Sequence, residues 1–346
     1  MDETCAENVS DYHRKAKAMN TIGNIFRFTG FGESHGNAVG GVIDGCHSGL
    51  HIDFNAIRHD LDRRAGRDET LTRLISGTGI ISPRAKSEPD EVEFLSGILD
   101  GVTLGTPIAF IIRNSDTRSE DYEEFKDIFR PGHADSTYQA KYGIRDWRGG
   151  GRASARETAA RVVAGSIAKQ LLQQHGITVC AQVVQVGCET DEEKIKALLQ
   201  RVQSTGDSIG GIVECRIKGL PAGIGEPVFD KLQAHLAYAV MSINACKGFD
   251  YGSGFEGVGL LGSEMYYDNP SSVTLSGGAL GGISDGTDFC FRCVFKPTPS
   301  ISREIHGRHD ICIALRTPPI VEAMSAITLI DLILEAQARH ESIVSI

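Results

Sequence analysis

The chain has 346 residues, 41% of them hydrophobic and 23% charged, with a formal net charge of −10. That length can bury a substantial core in one large domain or two, and the composition is that of a soluble globular protein. An acidic balance of this size disfavours DNA or RNA held by bulk electrostatics, and no apolar run is long enough to span a bilayer.

Residues Met1 to Met19 are polar and mixed in charge, with no apolar centre, and read as a disordered extension rather than a signal peptide. One domain is expected from residue 20 to residue 346. From Thr21 to Asp44 the pattern is strand, glycine-rich turn, strand, with the polar cluster Gly32-Glu33-Ser34-His35-Gly36 at the turn. Phe54 to Arg64 reads as a helix ending in Asp62-Arg63-Arg64-Ala65-Gly66-Arg67, a basic end that either complements the macrodipole or captures an anion. Gly101 to Asn114 reads as a buried strand.

The centre of the chain, Phe129 to Arg161, holds seven cations (Arg130, Lys141, Arg145, Arg148, Arg152, Arg156 and Arg161) against Asp135, Asp146 and Glu157, a net charge of +4 from 7 − 3. The same window carries the single Trp147, a Gly-Gly-Gly run and His133 in a Pro-Gly-His turn. Guanidinium groups, loop glycines and a helix start suit a small, highly anionic ligand.

An amphipathic helix follows from Glu157 to His175, then strands from Ile177 to Val186 and from Gly211 to Ile217. A helix from Val228 to Ile243 has Pro227 at its first turn. Gly36 to Gly45 and Gly277 to Gly286 share the pattern G-x-A-x-G-G-x-x-D-G, which suggests matching glycine turns in two halves of the fold. The alternating strand Asp288 to Phe295 delivers the rigid loop Lys296-Pro297-Thr298-Pro299-Ser300, and a last amphipathic helix runs from Ile320 to Ala338. Nine scattered cysteines suit reduced thiols in a cytoplasmic protein. Cys290 and Cys293 have CxxC spacing within a strand, without a second pair, so no metal site is expected. No dinucleotide or P-loop fingerprint sits between a strand and a helix.

Six separated motifs occur in one order: FGESHG (Phe31 to Gly36), RPGHAD (Arg130 to Asp135), YGIRDWRGGGRASARET (Tyr142 to Thr158), MSINA (Met241 to Ala245), KPTPSI (Lys296 to Ile301) and GRHD (Gly307 to Asp310). Together they resemble the chorismate synthase family from about Asn20 to the last helix. Periodicity alone supports mixed α and β. The resemblance implies an α+β fold, a layered β-α-β sandwich of antiparallel sheets and long helices, internally pseudo-duplicated, and a homotetramer.

The resemblance further implies a 1,4-anti elimination of phosphate from 5-enolpyruvylshikimate 3-phosphate to chorismate, with reduced FMN required and no net redox change. His35 would protonate the departing phosphate and His133 the reduced flavin. Asp310, relayed by Ser34, would accept the proton left after hydrogen abstraction. The flavin site would comprise Arg152, Ala153, Ser154, Asn244, Ala245, Gly281, Lys296, Pro297, Thr298, Pro299, Ser300 and Arg308. Arg64, Arg67, Arg130 and Arg152 would hold the anionic substrate. NADPH would enter only as a reductant of the flavin, and an external flavin reductase is the expected source in its absence. Ile311 stands where the family usually has Pro. A net flavoprotein oxidoreductase and a non-catalytic flavin- or anion-binding protein are the alternatives, separated by turnover.

Overall fold

Residues 20–68, 88–115, 117, 119–267, 275–301 and 310–339 are described in the computed structural model of the chain. The expected N-terminal extension (1–19) and Arg308, with its neighbours Gly307 and His309, lie outside the described residues.

Alternation of apolar and polar residues lays out two antiparallel sheets. The first has the order β1 (Thr21–Ile22), β2 (Arg27–Phe31), β3 (Ala38–Asp44), β8 (Ile108–Arg113), β5 (Val92–Phe94). In β8 the alternate residues Ile108, Phe110 and Ile112 are all buried. The expected strand from Gly101 to Asn114 is two strands, because Gly105-Thr106-Pro107 breaks it into β7 (Val102–Leu104) and β8. With β4 (Ser48–His51) and β6 (Ile98–Leu99), β7 forms a small separate sheet. The second large sheet has the order β11 (Cys246–Tyr251), β14 (Phe289–Phe295), β10 (Gly211–Lys218), β9 (Thr178–Val186). In β14 the residues Phe289, Phe291, Cys293 and Phe295 face inward. Cys290 and Cys293 are an odd number of positions apart on this strand, so their side chains leave opposite faces.

Between the sheets lies a layer of helices. It contains α1 (Phe54–Ala65), α3 (Thr158–Gln174), α5 (Leu232–Met241) and α7 (Pro318–Arg339); α2 (Asp135–Tyr142), α4 (Glu192–Ser204) and α6 (Gly262–Tyr266) lie outside it. Helix α3 packs on β2 and β3, and α7 packs on α3, α1, α5, β9 and β10. One contiguous apolar core therefore includes residues of both sheets. The fold is α+β, as expected.

Being in the middle changes two helices. Instead of one apolar stripe, α7 is buried at every position from Pro318 to Ile333, and α3 is buried on nearly all sides. Where α3 crosses α7, a Cβ on Gly165 would overlap Ala323. Polar residues inside this layer are paired. Glu322 is 1% exposed. It accepts two bonds from Arg63 (2.6 and 2.8 Å), one from Lys169 (3.0 Å) and one from the amide of Ala181 (2.9 Å). These contacts join α1, α3, α7 and β9.

Three expectations need correction. The helix expected from Val228 begins at Leu232, because Val228 takes a left-handed φ of 69° that no helix continues. Helix α4 was not anticipated, although Ile195, Leu198, Leu199 and Val202 form its buried stripe and Asp191 caps it through the amide of Lys194. The repeated glycine pattern takes two different structures. Residues 38–44 form the continuous strand β3, whereas 279–284 form a hairpin of β12 (Ala279–Leu280) and β13 (Ile283–Ser284). Spacing of glycines fixes where a chain can bend, and not whether it does.

Among the described residues, no helix is long and apolar enough to cross a membrane.

Candidate functional site

The connections at one end of the helix layer enclose a cleft of about 1150 Å³. Its walls come from the turn after β2, the Arg130–Asp135 turn, the run from Gly149 to Arg161, the link between α5 and β11, the exit of β14, and Asp310. Segments distant in sequence thus meet at one opening.

The glycine triplet shapes the floor. Gly149, Gly150 and Gly151 have φ of 59°, 82° and 52°, three successive left-handed residues that only glycine adopts readily. A Cβ on Gly149 would stand 2.5 Å from Nε2 of His35 and 3.2 Å from Oγ of Ser34. His35 and Ser34 are therefore packed directly behind this loop, 7% and 1% exposed, rather than on the cleft surface. The amide of Ser34 donates to Gly151 O at 3.3 Å. Tyr122 meets the His35 ring edge-to-face at 5.0 Å. Asn114 holds the whole turn. Its Nδ2 donates to Glu33 O and Gly36 O (3.1 and 2.8 Å), and its Oδ1 accepts from Arg156 Nε (2.8 Å).

His133 lies on the opposite side of the basic turn, with Nε2 3.0 Å from Ser300 Oγ. Burial, then the charges of Arg130 and Lys296, push its pKa down to about 4, with Asp135 opposing them in part. Lys296 donates to Gly132 O at 3.2 Å, Thr298 Oγ1 donates to Asp310 O at 2.8 Å, and Pro299 sits against Gly132. Asp310 is 8% exposed and lines the cleft, and its Oδ2 accepts from Arg316 at 2.7 Å. Asn244 donates to Ala153 O at 2.9 Å, and its Oδ1 has no partner among the described residues.

The cationic window is mostly occupied with its own fold. Arg130 makes a bidentate pair with Asp135 (2.9 and 2.8 Å) and stands over the rings of Tyr122 and Phe125. That pair holds the Asp135 carboxyl below its ordinary pKa despite burial. Arg145 binds the carbonyls of Phe125, Lys126 and Ile128; Arg148 pairs with Asp146; Arg156 with Asp90 and Glu88; and Arg161 with Glu157. Of the six arginines in the window, Arg152 alone lacks both an ion pair and a cluster of carbonyls among the described residues. Its single bond, to Gly32 O, is 3.4 Å long.

Of the residues expected at the site, Arg130, His133, Arg152, Ala153, Ser154, Asn244, Ala245, Lys296, Thr298, Pro299, Ser300 and Asp310 line one cleft. Others stand elsewhere. Arg64 is 5% exposed and clamps the start of α3 by donating to Thr158 Oγ1, Ala155 O and Asp90. Arg67 binds Asp62 and Glu88 O. Pro297 faces Gly210. Gly281 is the left-handed tip of the β12–β13 hairpin, away from the cleft. Tyr122, Tyr138 and Asn114 were not anticipated. They come from a charged loop, a helix of low polarity contrast and a strand end, where no motif marks them.

Fold and cleft together define an α+β protein with an opening that suits anionic small molecules. The family model described as chorismate synthase matches residues 26–334. The chorismate synthase of Phocaeicola vulgatus is 47% identical over 357 residues, covering 90% of this chain and 97% of that one. That of Synechocystis sp. is 44% identical, covering 94% and 99%. A solved structure described as a crystal structure of chorismate synthase superposes with a TM-score of 0.71 at 28% identity, covering 91% of this chain and 93% of that one. The chain belongs to the chorismate synthase family and is an enzyme of the lyase class.

Proposed function

We propose that this enzyme eliminates phosphate from 5-enolpyruvylshikimate 3-phosphate in the 1,4-anti sense to give chorismate, with reduced FMN bound beside the substrate. The carrying observation is the gathering of His133, Arg152, Lys296 and Asp310 at one cleft, with His35 directly behind its glycine floor. Small-molecule sites commonly measure roughly 300–1,000 Å³, so an opening of about 1150 Å³ has room for a cofactor and a small acid together. The donors of Arg152, Lys296 and Ser300 fit an anionic group such as a flavin phosphate, and Asn244 Oδ1, without a partner among the described residues, fits an N–H of the flavin ring.

Held by residues such as Arg152, Lys296 and Ser300, reduced FMN would supply electron density without being consumed. The protein residues supply charge and protons. Arg152, with no carboxylate partner in the described residues, is free to meet an anion. His35 lies within reach of the cleft floor as the acid for the departing phosphate. His133 is neutral at neutral pH in the free protein, and an anion near Lys296 and Arg130 offsets the repulsion that keeps it so. Asp310, steadied by Arg316, is the carboxylate that finally accepts a proton, with Ser34 as the relay. Nine scattered cysteines support a cytoplasmic setting. Exposed apolar side chains such as Phe229 and Val258 suit association into the homotetramer.

The deciding assay is anaerobic. Protein, photoreduced FMN and 5-enolpyruvylshikimate 3-phosphate are mixed, and chorismate absorbance and released phosphate are followed together. Equal appearance of both with the flavin still reduced is expected. Binding without either product makes this a flavin-binding protein, and stoichiometric flavin oxidation makes it an oxidoreductase.

A further inference from the structure

A cleft built for anions contains one feature that anions oppose. Glu157 is 5% exposed and lines the cleft at the entry to α3. Its Oε2 accepts from Arg161 Nε at 3.0 Å, while its Oε1 has no hydrogen-bond partner among the described residues. A buried acceptor without a donor costs about 1–3 kcal/mol, and more when charged. The second such oxygen in the cleft, Asn244 Oδ1, belongs to the same side. Asn244 is tied to Ala153 O, and the Glu157 amide donates to Ser154 O at 3.3 Å.

Phosphate and carboxylate groups cannot satisfy these oxygens, because they are acceptors themselves. A fixed N–H can. Resting on the flavin reading above, we infer that Glu157 is a specificity-determining residue: its unpartnered carboxylate oxygen takes the imide N3–H of the flavin ring, with Asn244 Oδ1 as the neighbouring acceptor. The ring edge carrying that N–H enters on this side, and a flavin without it is rejected. Glu157→Gln reverses the reading. Arg161 keeps hold of the amide oxygen, so the side chain turns its NH2 toward the ring and sets donor against donor.

The test compares FMN with 3-methyl-FMN, in which a methyl group replaces the N3 hydrogen, by fluorescence-quenching titration. Wild-type protein is expected to bind FMN at least tenfold more tightly than the methylated flavin. E157Q is expected to bind the two equally, through loss of FMN affinity. Equal binding by the wild type overturns the inference without requiring any variant to fold. A tenfold preference that survives in E157Q overturns it too, by assigning the discrimination to another residue. Weakened binding of 5-enolpyruvylshikimate 3-phosphate by E157Q, with the flavin preference intact, gives the oxygen to a substrate hydroxyl and overturns it. Failure of either flavin to bind wild-type protein rejects the flavin reading itself.

Discussion

Arg152 and His133 show how a charged site is made from groups that differ in freedom. Most arginines around the cleft are held by carboxylates or carbonyls, so their charge is largely spent before a ligand arrives. Arg152 has one long bond to Gly32 O. Arg152→Met should therefore leave thermal stability nearly unchanged. It should weaken binding of the phosphorylated substrate roughly ten- to hundredfold, since hydrogen bonds to charged groups are worth about 1.5–3 kcal/mol. Calorimetric titration beside a melting curve checks both halves, and a melting point lowered along with affinity would assign Arg152 to the fold. For His133 the sign is fixed by its pKa near 4 in the free protein. An anionic ligand raises that pKa, so binding takes up a proton and must tighten as the pH falls from about 7 toward 4. Affinity independent of pH over that window, or unaltered pH dependence in His133→Gln, would remove the proton from the coupling.

Elements place these residues, and their legibility in the sequence was uneven. The strand–turn–strand around His35, the loop Lys296 to Ser300 and the strand before it were readable, because alternation and punctuation by Gly and Pro are local signals. The partners of the basic window were not. Nothing in the sequence says that Arg64 turns to the start of α3, or that Asn114 braces a turn about eighty residues earlier, because both are products of packing between distant segments. Gly281 was expected at the site from the family resemblance, yet it stands at the tip of a hairpin and not among the residues lining the cleft. Helix α7 read as amphipathic because its ionic positions, such as Glu322 and Asp331, mimic a solvated face; they are buried and paired instead. The α3–α7 crossing gives this packing a number. Gly165→Ala should raise helix propensity by about 1 kcal/mol, but overpacking a tight contact costs about 1–3 kcal/mol. The net expectation is a lower urea midpoint with an unchanged slope. A raised midpoint would mean that the helices can part freely.

On the scale of the molecule, Glu322 is the charge that joins the layers. Its carboxylate is held below the ordinary range by Arg63 and Lys169 despite its burial. A depressed folded pKa contributes stability that is present above the unfolded value of about 4.3 and is lost as the pH falls through the folded value. Glu322→Gln should therefore destabilise the protein by about 3–5 kcal/mol at neutral pH, the usual result of stranding buried partners. Its stability should also fall less steeply in acid than that of the wild type. Identical acid limbs in denaturation of the two proteins would show that Glu322 is not the group that titrates.

The same central helix has a consequence in time. Residues 318–339 fill the space between the sheets, yet the ribosome makes them after every strand they support. Until they emerge, the nascent chain holds two sheets and α3 with their apolar inner faces uncovered. The enzyme's architecture is thus completed from the inside, by a helix made only after every strand it supports.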